Sequence, residues 1–93
     1  PQQDKKAQRQ EAAARRAQLK PLTDKLKKVE RQMDKLNQSL SGIETELADP
    51  AIYDAENKQR LQELLKSQGE TQAQLDECEE QWLALSEELE HYA

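Results

Sequence analysis

Between residues 22 and 47 an apolar side chain returns after every fourth and third residue without a miss. The series is Leu22, Leu26, Val29, Met33, Leu36, Leu40, Ile43 and Leu47. Alternating steps of four and three average about 3.5, close to one α-helical turn, so all eight lie along one side of a helix. A stripe this narrow needs a neighbouring helix to cover it, each side chain entering a hole between four others. A second series follows in the same chain: Leu61, Leu64, Leu75, Cys78, Trp82, Leu85, Leu89 and Tyr92. Its heptad frame puts Leu61, Gln68, Leu75, Trp82 and Leu89 at a. Asn57, Leu64, Thr71, Cys78, Leu85 and Tyr92 stand at d. The expected fold is all-α, an antiparallel two-helix coiled-coil hairpin.

Composition supports that shape. Hydrophobic residues make up 34% of the 93 and charged residues 35%, with no Phe and one Trp. That is too little apolar bulk for a globular core, but it suits two helices sharing a thin seam. The regular seam argues against disorder over residues 22–92, whereas fraying is expected over residues 1–10. With Pro1 at its start instead of an initiating Met, the chain reads as a fragment of a longer protein.

The connections can be read from a few residues. Residues 3–20 are rich in Ala, Gln, Lys and Arg, which favour helix, and form a basic lead-in. Pro21 interrupts it. With no capping side chain at residue 20, a kink or short break near Lys20 is expected rather than a clean restart. The hairpin proper covers residues 21–93, with a helix over 22–48, a tip over 49–54 and a helix over 55–92. At the tip, Asp49 can cap and Pro50 suits a first helical position, so Ala51, Ile52 and Tyr53 form a short helical turn. Asp54 is a second cap candidate. Gly42 stands outside the seam, where it is either simply tolerated or admits a close backbone. In the second helix Gln68 and Thr71, with Gly69 beside them, make a weak middle. Folding back near residue 51 sets Gln68 opposite Met33 and Leu36. It also sets Trp82 opposite Leu19 and Leu22, closing the base of the hairpin. A hairpin that fills its own seam should be monomeric, although the weak middle would also permit helix exchange between copies.

Most chemistries lack their residues. Cys78 is a single seam cysteine, and the one histidine, His91, cannot build a metal cluster with it. No phosphate-binding glycine loop and no Ser-His-Asp or Cys-His set exists. Paired carboxylates need a cleft that separates their pKa values, and a two-helix hairpin supplies none. The segment is therefore expected to be no enzyme, to hold no metal or cofactor and to cross no membrane. A cytoplasmic location is the simplest expectation.

Charge is the remaining functional signal. Residues 1–35 carry eleven Lys/Arg and five Asp/Glu, a net of +6. Residues 36–93 carry three and fourteen, a net of −11, so the chain total of −5 conceals the division. Arg15, Arg16, Lys20, Lys27, Lys28 and Arg31 are the candidate nucleic-acid contacts. Lys20, Lys27, Lys28 and Arg31 share part of one outward face that could follow a phosphate backbone. The competing reading is a solvated basic face that complements the acidic second helix through flanking charge pairs. No aromatic residue is interleaved with these cations, so base-stacking recognition is not expected.

In order, these features resemble a known family. Arg15-Arg16 leads into Pro21-Leu22, with Glu30 and Leu36 on the first helix. Leu47-Ala48-Asp49-Pro50-Ala51-Ile52-Tyr53 forms the turn, and Cys78-Glu79 with Trp82 and Leu85 the closing segment. Over about residues 10–90 the chain is similar to the C-terminal coiled-coil domain of bacterial ABC-F proteins. These are soluble ATP-binding-cassette ATPases of the Uup/YheS type, and the likeness is closer to YheS. The resemblance implies two nucleotide-binding cassettes upstream, which bind ATP and Mg outside these residues. It implies a non-catalytic arm that contacts ribosomal RNA, tRNA or DNA, in a protein acting in translation. The alternatives are a structural spacer or protein-interaction hairpin, or a tRNA-binding arm like that of a seryl-tRNA synthetase.

Overall fold

The computed structural model describes the backbone of residues 2–92 and the side chains of residues 4–92. It contains two long helices, α1 (Gln2–Ala48) and α2 (Lys58–Tyr92), joined by 3-10 turns at Pro50–Tyr53 and Ala55–Asn57. The molecule extends 79 × 17 × 14 Å.

The two helices lie side by side. Glu46 of α1 meets Arg60 of α2 near the tip, and Glu30 meets Trp82 farther away. Position therefore falls along α1 as it rises along α2, so the helices run in opposite directions. All eight residues from Leu22 to Leu47 in the spaced series are buried or half-buried. So are Asn57, Leu61, Leu64, Gln68, Thr71, Leu75, Cys78, Leu85 and Leu89. The best covered are Leu64 at 3% exposure, Leu75 at 4% and Val29 at 7%. Gln68 and Thr71 sit between two of these, half-buried, and no side-chain polar atom is buried without a partner among the described residues. A Cβ at Gly42 or Gly69 would meet nothing within 4 Å, so neither glycine marks a close backbone approach.

α1 runs through Pro21 without the break considered for this point. Proline removes one donor, leaving the carbonyl of Ala17 without its usual partner. Ala17 is exposed, so water can take that place, and its small side chain leaves room for the ring. Just beyond, the Thr23 hydroxyl donates to the carbonyl of Leu19 at 3.2 Å. Upstream of Leu19 every described side chain of α1 is exposed. Residues 4–10 are helical; the fraying expected over 1–10 falls in part on Pro1, outside the described residues.

The tip is more elaborate than a single turn. Asp49 caps the first 3-10 turn, its carboxylate accepting from the Ala51 amide at 3.0 Å. The Tyr53 hydroxyl donates to the Leu47 carbonyl at 2.7 Å, closing the C-terminal end of α1. Asp54 makes no side-chain cap; the Asn57 amide group instead donates to the Ala51 carbonyl at 2.8 Å. Ile52 is buried beneath this network.

Those two turns change the register. They occupy Pro50–Asn57, so α2 starts at Lys58 rather than Ala55 and its residues meet positions closer to the tip than a fold at residue 51 would give. Leu36 faces Gln74 and Cys78 rather than Gln68. Val29 faces Gln81 and Leu85. Trp82 lies beside Glu30 instead of Leu19 and Leu22. It is 37% exposed, because its indole reaches the edge of the seam, where its N–H donates to Glu30 Oε1 at 3.1 Å. A tryptophan N–H can only donate, and this carboxylate supplies its acceptor. Tyr92, expected at d, is 48% exposed at the last residue of α2.

Two substitutions test this account of the seam. Leu75→Ala should cost about 2–5 kcal/mol of unfolding free energy. Pro21→Ala should add on the order of 1–3 kcal/mol by restoring a helical hydrogen bond. Urea titrations followed by far-UV circular dichroism measure both.

Candidate nucleic-acid interface

The cations of α1 are placed by helix geometry alone. At about 100° per residue, Arg9, Arg16, Lys20, Lys27 and Arg31 fall within roughly 40° of one line. The seam residues Val29 and Leu40 fall on the opposite side of the helix. The five therefore project away from α2, and each is exposed. Their Cα atoms span roughly 33 Å of helix axis. Asp24 and Asp34 lie within the same band, which dilutes the positive field near its middle and far end.

The six sequence candidates divide on this geometry. Arg16, Lys20, Lys27 and Arg31 come together in the stripe. Lys28 lies about 80° away, on the flank where α1 approaches α2. Arg15 falls outside the stripe. It continues the line of the seam, above the level at which α2 ends, and is exposed.

Electrostatic pairing leaves the stripe free. The described residues make two ion pairs, both from Arg60. One reaches across the helices to Glu46 at 2.7 Å and the other goes to Glu63 at 3.6 Å. The cross-helix pair thus joins a cation of the acidic second helix to an anion of α1. Among the described residues, no Lys or Arg of residues 4–35 lies within ion-pair distance of a carboxylate. The first helix is not held to the second by its lysines and arginines. Both Arg60 partners are about half exposed, so each pair contributes only about 0.2–1 kcal/mol.

The flank between the helices carries a second feature, absent from the sequence reading. Two shallow clefts open there, one bordered by Lys35, Leu36 and Cys78, the next by Lys28, Val29 and Leu85. Glu30, the acceptor for Trp82, also went unanticipated. Its signal depended on the true register, which the tip conceals.

Comparison with known proteins assigns the family. Residues 20–87 match the family model described as ABC transporter C-terminal domain. The chain belongs to the ABC transporter C-terminal domain family. The matched span covers the spaced series of α1, the tip and the α2 series as far as Leu85, including Trp82, and begins at Lys20 within the cationic stripe. In this family member the segment is a small helical C-terminal domain of an ABC transporter-type protein. No curated protein and no solved structure gives a significant match. No helix among the described residues is long and apolar enough to cross a membrane. No group of three or more His, Cys, Asp or Glu among the described residues could hold a metal ion.

Because the stripe cations hold no partner, reversing them should leave folding almost unchanged. The triple variant Lys20→Glu, Lys27→Glu, Arg31→Glu should melt within about 0.5 kcal/mol per site of the parent. A much larger loss, read by thermal denaturation, would mean that these cations do support the helix pair.

Proposed function

We propose that this chain is the non-catalytic C-terminal arm of an ABC-F ATPase, built as an antiparallel coiled-coil hairpin. The outward face of its first helix contacts nucleic-acid phosphates. Residues 1–20 act as a basic lead-in from the rest of the protein, and residues 21–93 as the arm. The parent protein carries its nucleotide-binding cassettes upstream, binds ATP and Mg there, and acts in the cytoplasm on translation. The arm itself is monomeric and holds no cofactor. Its targets are ribosomal RNA, tRNA or DNA.

One observation carries this reading. Five exposed cations, Arg9, Arg16, Lys20, Lys27 and Arg31, line the side of α1 that faces away from α2, with no carboxylate holding any of them. A polyanion gains from such a row because each phosphate it neutralises releases condensed counterions. Contacts of this kind position a backbone but read no bases. Family membership supports the accessory role and argues against a synthetase arm. Asp24 and Asp34 within the stripe favour the second reading, a structural spacer or protein-interaction hairpin with no affinity for nucleic acid.

A salt titration separates the two. Binding to duplex DNA and to structured RNA should show little sequence preference. For duplex DNA, log K should fall against log salt with a slope of about −4.5 if all five cations engage. The variant Arg16→Glu, Lys20→Glu, Lys27→Glu, Arg31→Glu, confined to the stripe, should lose binding altogether. Affinity that survives these four changes would refute the stripe. An unbound parent chain at physiological salt would establish the spacer.

A further inference from the structure

The two clefts on the flank between α1 and α2 are related to each other by one heptad. The first, about 360 Å³, is bordered by Lys35 and Leu36 of α1 and by Glu77 and Cys78 of α2. The second, about 490 Å³, is bordered by Lys28, Val29, Ala84 and Leu85. Each residue of the second set lies seven positions from its counterpart in the first, backward along α1 and forward along α2. Gln32 and Gln81 stand between the two clefts and border both.

We infer that this flank is a docking groove for a third α-helix from a partner protein. That helix carries an apolar residue at every seventh position with carboxylates beside it. Two holes one heptad apart are separated by about 10.5 Å along the axis, the distance between side chains seven residues apart on a helix. Leu36 and Cys78 floor one hole, and Val29 and Leu85 the other, so an aliphatic knob fits each. The charge of the rim selects the acidic flank. Lys25, Lys28 and Lys35 are exposed along the α1 side, and none is within ion-pair distance of a carboxylate among the described residues. The α2 side offers Gln74 and Gln81, with Glu77 as the one charge on the rim of the first cleft.

Other occupants fit less well. Neither cleft is lined by an aromatic residue that could stack a base. A second copy would have to offer its basic α1, which these lysines repel, or its α2, whose seam α1 covers and whose exposed Leu65 and Leu83 stand eighteen residues apart instead of seven.

The groove can be tested on the 93-residue chain with two synthetic helical peptides. Both carry leucine at heptad a and d positions, one flanked by glutamate and the other by lysine. Fluorescence anisotropy reads binding, and alkylation of Cys78, a floor residue of the first cleft, reads location. The glutamate peptide should bind and slow Cys78 alkylation several-fold, and the lysine peptide should do neither. Lys25→Glu, Lys28→Glu, Lys35→Glu should weaken the glutamate peptide about tenfold or more and admit the lysine peptide. Unchanged circular dichroism would show that this exposed variant still folds. Equal binding of both peptides, binding without protection of Cys78, or no binding would overturn the inference. So would better protection by a single-stranded RNA oligonucleotide, or a sedimentation shift showing that a second copy already fills the groove.

Discussion

The structure depends on one thin line of apolar contact. Among the described residues neither α1 nor α2 has a second helix to lean on, and Val29, Ile52, Leu64 and Leu75 are the only buried apolar side chains, each still 3–9% exposed. Helices of this composition are marginal alone, since nucleating a turn is costly and propensity gives little back. Pairing makes each helix the cover for the other's stripe. Cross-helix polar contacts add little to this. The ion pair Arg60–Glu46 and the bond from Trp82 to Glu30 are exposed, and they fix register more than they stabilise.

This dependence explains the distribution of polar character. Gln68 and Thr71 interrupt the α2 stripe at its centre, where a continuous run of leucine would also pair out of register. They are tolerated because Leu64 and Leu75 on either side are the two best-covered of the described residues. Upstream of Leu19 every described side chain of the first helix is exposed, and there the sequence turns to alanine, glutamine and cations, which favour helix without asking for burial. The chain thus separates its tasks along α1: a covered stripe toward α2, a cationic band away from it, and a lysine-edged flank between the two.

Much of this was legible in the residues. The alternating spacing from Leu22 to Leu47 marked which side of α1 is covered, because helical period and burial are the same fact seen twice. Asp49-Pro50 marked the end of α1 and the capped turn. The register was not legible, because it depends on how many residues the tip consumes. Asn57 and Tyr53 bond back to the chain and hold a second 3-10 turn in place, an arrangement no spacing rule reveals. Trp82 was misplaced for the same reason, and its exposed edge follows from the shift. The outward position of Lys20, Lys27 and Arg31 came directly from their spacing. The flanking charge pairs of the competing reading are not found among the described residues, where no Lys or Arg of residues 4–35 lies within ion-pair distance of a carboxylate and the cross-helix ion pair has the opposite polarity.

The central claim is that α1 is covered by α2 of the same chain, in a register that brings Glu30 to Trp82. Contact quenching of Trp82 tests it directly. In a Cys78→Ser background, a bimane label at Glu30→Cys should quench the tryptophan strongly, independent of protein concentration, and be released by urea. The same label at Lys20→Cys should quench far less. Strong quenching at position 20 instead, or quenching at position 30 that vanishes on dilution, would contradict the account.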